Sequence, residues 1–155
     1  MTPQPASTPM NHEQGAYLGS LPRTSRAAVV RQFGQPPEIR DVPIPASVEP
    51  RALIVKTTAC SICGTDVHLS RGNLALKVDL PVILGHEMVG RVVAIGEGAE
   101  RDSVGQPVRI GDRILWTHTA CGSCFFCTVA QQPTLCENRR AYMYESSEKP
   151  PYLLG

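Results

Sequence analysis

Four of the six cysteines fall in one stretch, CGSCFFCTVAQQPTLC (121–136), at Cys121, Cys124, Cys127 and Cys136. Four thiolates so closely spaced suit the closed tetrahedral ligand set of a structural zinc, which leaves no position for substrate. Buried free cysteines are the plainer alternative, and four in one loop fit it poorly. Metal binding here would be coupled to folding, since the loop has few other ways to hold its shape. A second constellation is CGTDVH (63–68) followed by LGHEMVG (84–90). A single histidine such as His86 is more often structural than a ligand. Paired with Cys63 from a separate loop, it suits a catalytic zinc that keeps one position open. Such a metal polarises an oxygen and lowers its pKa. The Thr65 hydroxyl is then placed to pass on a proton, and His68 to accept it at the solvent side. Asp66 is expected to hydrogen-bond the far nitrogen of His86 and fix its tautomer.

Other chemistries fit less well. A redox pair at Cys60 and Cys63 needs a thiol of low pKa, and Ala59, Ser61 and Ile62 bring no positive charge. A disulfide framework needs an oxidising compartment, to which nothing directs the chain. GEGAER (96–101) opens like a dinucleotide-binding loop, but Arg101 replaces the third glycine and Trp116 stands where a ribose-binding acid belongs. Fifteen Lys and Arg against fourteen Asp and Glu leave a charge of +1, and no basic cluster flanks the cysteine loop before Arg139 and Arg140. Nucleic acid is not an expected partner. No apolar run approaches the ~20 residues of a membrane helix, and the N-terminus has no secretory core. A soluble, cytoplasmic domain is the expectation, at 155 residues and 42% hydrophobic composition.

The elements that must carry these residues are short. Residues 1–25 mix Pro, Ser, Thr and Gln without period and read as a disordered tail. β-type runs follow at 27–33, 51–59, 87–96 and 108–117, the last with a tight turn at Gly111-Asp112. A short helical turn is expected from Asp66 to Ser70, capped by Asp66 and stopped by Gly72. The whole reads as mainly β, an antiparallel barrel or sandwich.

GHE preceded by CGTD-x-H and followed by the four-cysteine loop resembles the N-terminal catalytic domain of zinc-dependent medium-chain alcohol dehydrogenases. VRIGDRIL (108–115) agrees with that family's usual turn. The resemblance covers residues 26–155 and implies a GroES-like β-barrel with short helices and a cysteine-rich zinc lobe. It implies that Cys63 and His86 ligate a catalytic zinc, with Glu87 an occasional alternative ligand. Thr65 would take the alcohol proton, His68 would end the relay, and Asp66 would support His86. Cys121, Cys124, Cys127 and Cys136 would hold the structural zinc. The implied cofactors are Zn2+ and NAD or NADP, and the implied substrate is a small alcohol or carbonyl compound. The full enzyme would be a homo-oligomer.

Departures matter as well. Eight residues separate Cys127 from Cys136, one more than the family's usual spacing. Cys60 has no role in the pattern and reads as a small buried residue. Thr117 and His118 read as an exposed strand end, with a place in the substrate cleft as the alternative. Family members are longer, with a further zinc ligand and a nucleotide-binding domain beyond the segment matched. A fragment of an enzyme is therefore expected, and a stand-alone zinc-stapled module without activity is the alternative.

Overall fold

Short β-branched runs interrupted by Gly and Pro favour strands over helices. The computed structural model describes residues 21–116, 118 and 120–148. Its elements are β1 (Thr24–Val30), β2 (Glu38–Pro43), β3 (Leu53–Cys60), α1 (Gly64–Ser70), β4 (Val82–Ile83), β5 (Met88–Ile95), β6 (Arg113–Trp116) and α2 (Phe125–Thr128), with a 3-10 turn at Pro133–Leu135. The strands form two three-stranded sheets, β2-β1-β4 and β3-β5-β6, antiparallel throughout. The mainly-β expectation holds in this form.

In the first sheet, Val29 lies opposite Ile83 and Val30 opposite Val82. Successive strand residues face opposite sides. Val29 and Ile83 accordingly bury with Val42 in one cluster, and Val30 and Val82 with Leu69 and Met143 in another. Leu69 is fully buried, which fixes α1 against this sheet. Burying such a side chain contributes about 1.5–3 kcal/mol.

The second sheet sets the register of the chemistry. Cys60 lies opposite Met88, and Met88 opposite Trp116. One end of this sheet is therefore where the chain leaves β3 toward Cys63, enters β5 from His86, and leaves β6 toward His118. A backbone bond from the Ser61 amide to the Glu87 carbonyl (3.1 Å) continues the β3–β5 pairing past the strand ends. The strands also approach closely: a methyl at Gly90 would lie 2.5 Å from the Lys56 carbonyl oxygen.

Several expectations shift in detail. β1 begins at Thr24, while residues 1–20 of the expected tail lie outside the described residues. The 108–117 run becomes a strand only from Arg113. Residues 109–112 make the anticipated turn, with Asp112 accepting from the Arg109 amide (2.8 Å) and Gly111 at φ +93°. β2 and β4 were not anticipated. β2 exposes five of its six residues and buries only Val42, so it shows little apolar pattern. The helix starts two residues earlier than expected, and Cys63 caps it in place of Asp66. The Cys63 sulfur accepts from the Thr65 amide (3.3 Å) while the Asp66 carboxylate accepts from the Cys63 amide (2.8 Å). This reciprocal pair satisfies two helix N-terminal donors. Gly72 ends the helix as expected, at φ +74°.

Candidate metal centres

The 121–136 loop folds its sulfurs inward around α2. Cys124 caps that helix, Cys127 lies within it, and the 3-10 turn delivers Cys136. The Cys121 amide donates to the Cys136 sulfur (3.2 Å) and the Cys124 amide to the Cys121 sulfur (3.4 Å). Sulfur separations are 3.5 Å for Cys124–Cys127, 3.9 Å for Cys124–Cys136 and 4.0 Å for Cys121–Cys127. All four lie within 4.8 Å of one another. Zinc–sulfur bonds of about 2.3 Å at tetrahedral angles place sulfurs about 3.8 Å apart, so the four residues fit one zinc. Between Cys127 and Cys136, Gln131 takes φ +51° and the Gln132 amide bonds back to the Phe126 carbonyl (2.8 Å). Phe125 and Phe126 meet edge to face, with Phe125 exposed.

Amide and hydroxyl donors from Ser123, with the Cys124 amide, pull the Cys121 thiol down to about 5. Loss of water and the Cys124 thiol push Cys127 up to about 12. One member of the set is thus ionised at neutral pH and another is firmly protonated.

The second cluster joins the two loops at the sheet end. Cys63 Sγ and His86 Nε2 are 3.6 Å apart. A sulfur and an imidazole nitrogen sharing one zinc at ordinary bond lengths stand about 3.6 Å apart, so this pair also fits the metal. Asp66 completes a group whose ligand atoms lie within 4.8 Å. Its carboxylate is bonded to backbone amides. One carboxylate oxygen accepts from the Cys63 amide and the other from the Gly85 amide (3.1 Å). Asp66, 4% exposed, thus ties together the two backbones that carry Cys63 and His86. The His86 ring gains no bond from it, and His86 Nδ1 is buried without a hydrogen-bond partner.

The other expected residues divide. Thr65 is half-buried in the first turn of α1, beside Cys63. His68 is exposed on the last turn of the same helix. The Glu87 carboxylate accepts from the Ser61 hydroxyl and lies outside the clustered group. Cys60 is exposed, contrary to the expected burial, because the last five residues of β3 are exposed on both faces of the strand. Its sulfur nonetheless loses enough water to raise its pKa, which leaves it a thiol at neutral pH. Thr117 lies outside the described residues.

His118 is the residue that sequence reasoning undervalued. It is half-buried, not an exposed strand end. Its ring stacks on His86 with centroids 5.5 Å apart and planes 4° apart. Burial, then the charge of His86, then that of Arg139 hold its pKa below the ordinary histidine value. Its Nδ1 accepts from the Tyr142 amide at 3.2 Å. No motif pairs positions 86 and 118; only the strand register brings them together.

The model of the alcohol dehydrogenase GroES-like domain matches residues 49–147. The chain belongs to this family. An alcohol dehydrogenase of Geobacillus stearothermophilus is 40% identical over 116 residues, covering 74% of this chain and 32% of that protein. A solved alcohol dehydrogenase from Thermotoga maritima superposes with a TM-score of 0.74 at 36% identity, over 84% of this chain and 35% of that one. A zinc-binding dehydrogenase from Sinorhizobium meliloti, solved bound to NADP, gives 0.63 at 36% identity over 79% and 33%. The chain spans about a third of the length of the relatives it matches. Within the alcohol dehydrogenase family, the GroES-like domain is the part represented by residues 49–147.

Proposed function

We propose that residues 26–155 supply the zinc-binding part of an NAD- or NADP-dependent dehydrogenase that interconverts a small-molecule alcohol and its aldehyde or ketone. The observation that carries this reading is the 3.6 Å approach of Cys63 Sγ to His86 Nε2, from two loops at one sheet end. Membership of the alcohol dehydrogenase family and a relative bound to NADP support it. Cys63 and His86 hold a catalytic zinc, and Asp66 keeps their backbones in register. When bound there, zinc polarises an alcohol oxygen and makes its deprotonation feasible near neutral pH. The Thr65 hydroxyl, in the turn beside Cys63, would accept that proton while releasing its own toward the solvent side, where exposed His68 would take it up and pass it to water. Glu87 serves as the alternative ligand, and in the present arrangement Ser61 occupies its carboxylate. Cys121, Cys124, Cys127 and Cys136 hold a second, structural zinc that staples the loop. The proposal describes a cytoplasmic homo-oligomer without nucleic-acid or membrane partners, in keeping with the net charge of +1.

Metal counting tests it. Equilibrium dialysis of the reduced chain against zinc should give two ions per chain, the weaker of them absent from His86→Ala. One zinc in both proteins would instead support the stapled module without a catalytic metal.

A further inference from the structure

Strand register places three cations in a row on the second sheet. Lys56 lies directly opposite Arg91, and Arg91 directly opposite Arg113. Opposite residues of an antiparallel pair project from the same face. The three side chains therefore stand next to one another across β3, β5 and β6, and all three are exposed. Like charges in such positions repel and weaken the pairing. The row is no by-product of a basic protein, because the net charge is only +1.

Nothing within the sheet relieves that repulsion. Among the described residues, no carboxylate lies within ion-pair distance of Lys56, Arg91 or Arg113. Asp112, next to Arg113 in the chain, accepts from the Arg109 amide. Arg91 Nη1 donates to the Gly111 carbonyl (2.9 Å), which holds the middle of the row against the turn. Leu115 follows Arg113 by two residues and so shares its face, where it is 79% exposed. The face thus offers a line of positive charge with an uncovered apolar side chain beside it.

We infer that this face docks an acidic helix of a partner protein, laid across the strands with its carboxylates on Lys56, Arg91 and Arg113. Spacing selects the helix. Neighbouring strands lie about 4.8 Å apart, so the row spans about 10 Å. Helix residues i and i+7 are about 10.5 Å apart along the axis, with i+4 between them on the same face. Alternate residues of an extended segment are about 6.6 Å apart, and three of them overrun the row. A small anion needs a concave site, and the hollows lined by Arg26 and Ile39 and by Val42 and Pro81 lie on the other sheet. Recognition of an anionic membrane commonly takes a cluster of about four to eight cations. The inference is independent of any metal.

The test measures, by fluorescence anisotropy, binding of the full chain to a labelled, alanine-rich helical peptide with Glu at i, i+4 and i+7. Binding should saturate at low salt and weaken as salt is added. Replacing both Lys56→Gln and Arg113→Gln should weaken it about tenfold, the combined size of two exposed ion pairs. The same double variant should keep or raise its urea midpoint, because it removes the repulsion around Arg91. A lowered midpoint would overturn the account of the row. Absence of saturable binding, or equal binding by the variant, would overturn the proposal. A peptide of the same composition with its three Glu spread around the helix should bind more weakly, and equal binding would mean that no helix face is recognised. Adsorption to phosphatidylserine vesicles without binding of the peptide would also contradict the proposal, by making the face a membrane contact.

Discussion

Cys121 and Cys127 sit in the same loop with opposite proton affinities, about 5 and about 12. The difference is local. Donors from Ser123 and Cys124 converge on one sulfur, while desolvation and a neighbouring thiol act on the other. Zinc takes thiolates, so its binding must expel the Cys127 proton, whereas Cys121 has none to release at pH 7. Affinity should therefore rise with pH across the neutral range and fall further below about pH 5, where Cys121 also protonates. Calorimetry of zinc binding to the four-cysteine site at pH 7, in buffers of different ionisation enthalpy, should return at least one proton and fewer than four. Four released protons would mean that Cys121 is not preionised. At this scale the ligand types were readable, because cysteines at such spacing have few other uses. The partners of those ligands were not. Whether Asp66 faces a ring or a pair of amides depends on how two distant loops approach, and His118 acquires its neighbour only through strand register.

The sheet β3-β5-β6 is the element that makes the loops meet. Its shared end, at Cys60, Met88 and Trp116, converts separations of tens of residues into a single cluster. Gly90 lies in the centre of that sheet, against the Lys56 carbonyl and the Val55 side chain. Gly90→Ala would force β3 and β5 apart and should destabilise the fold by roughly 1–3 kcal/mol, the ordinary cost of overpacking. A lowered urea midpoint checks this, and an unchanged midpoint would contradict the packing described. β5 was legible because Val and Ile dominate it and its neighbours bury it. β2 was not, because an edge strand with one buried residue carries almost no apolar alternation. The start of α1 was misplaced for a different reason. Cysteine is an unusual cap, and its sulfur accepts here only because Asp66 returns the bond to the Cys63 backbone.

At the scale of the molecule, the described residues form two small sheets and a cysteine lobe that hold two groups of metal-type ligands with distinct designs. The lobe encloses four sulfurs among themselves. The sheet end offers a sulfur and an imidazole nitrogen, with a hydroxyl close by at Thr65. A closed site beside an incomplete one is what a stapled catalytic domain requires, and it accords with the alcohol dehydrogenase family to which the chain belongs. The mainly-β class and this family were readable from residue order alone, since the motifs occur together and in sequence. The arrangement into two sheets was not, because pairing β1 with β4 spans a long stretch of chain and leaves no local mark. X-ray absorption at the zinc edge of the fully loaded chain tests the central claim most directly. A tetrad plus a Cys63–His86 site predicts between two and three sulfurs per zinc, at about 2.3 Å, with imidazole scattering from His86. Four sulfurs per zinc and no imidazole signal would contradict it, leaving the lobe as the metal centre of this chain.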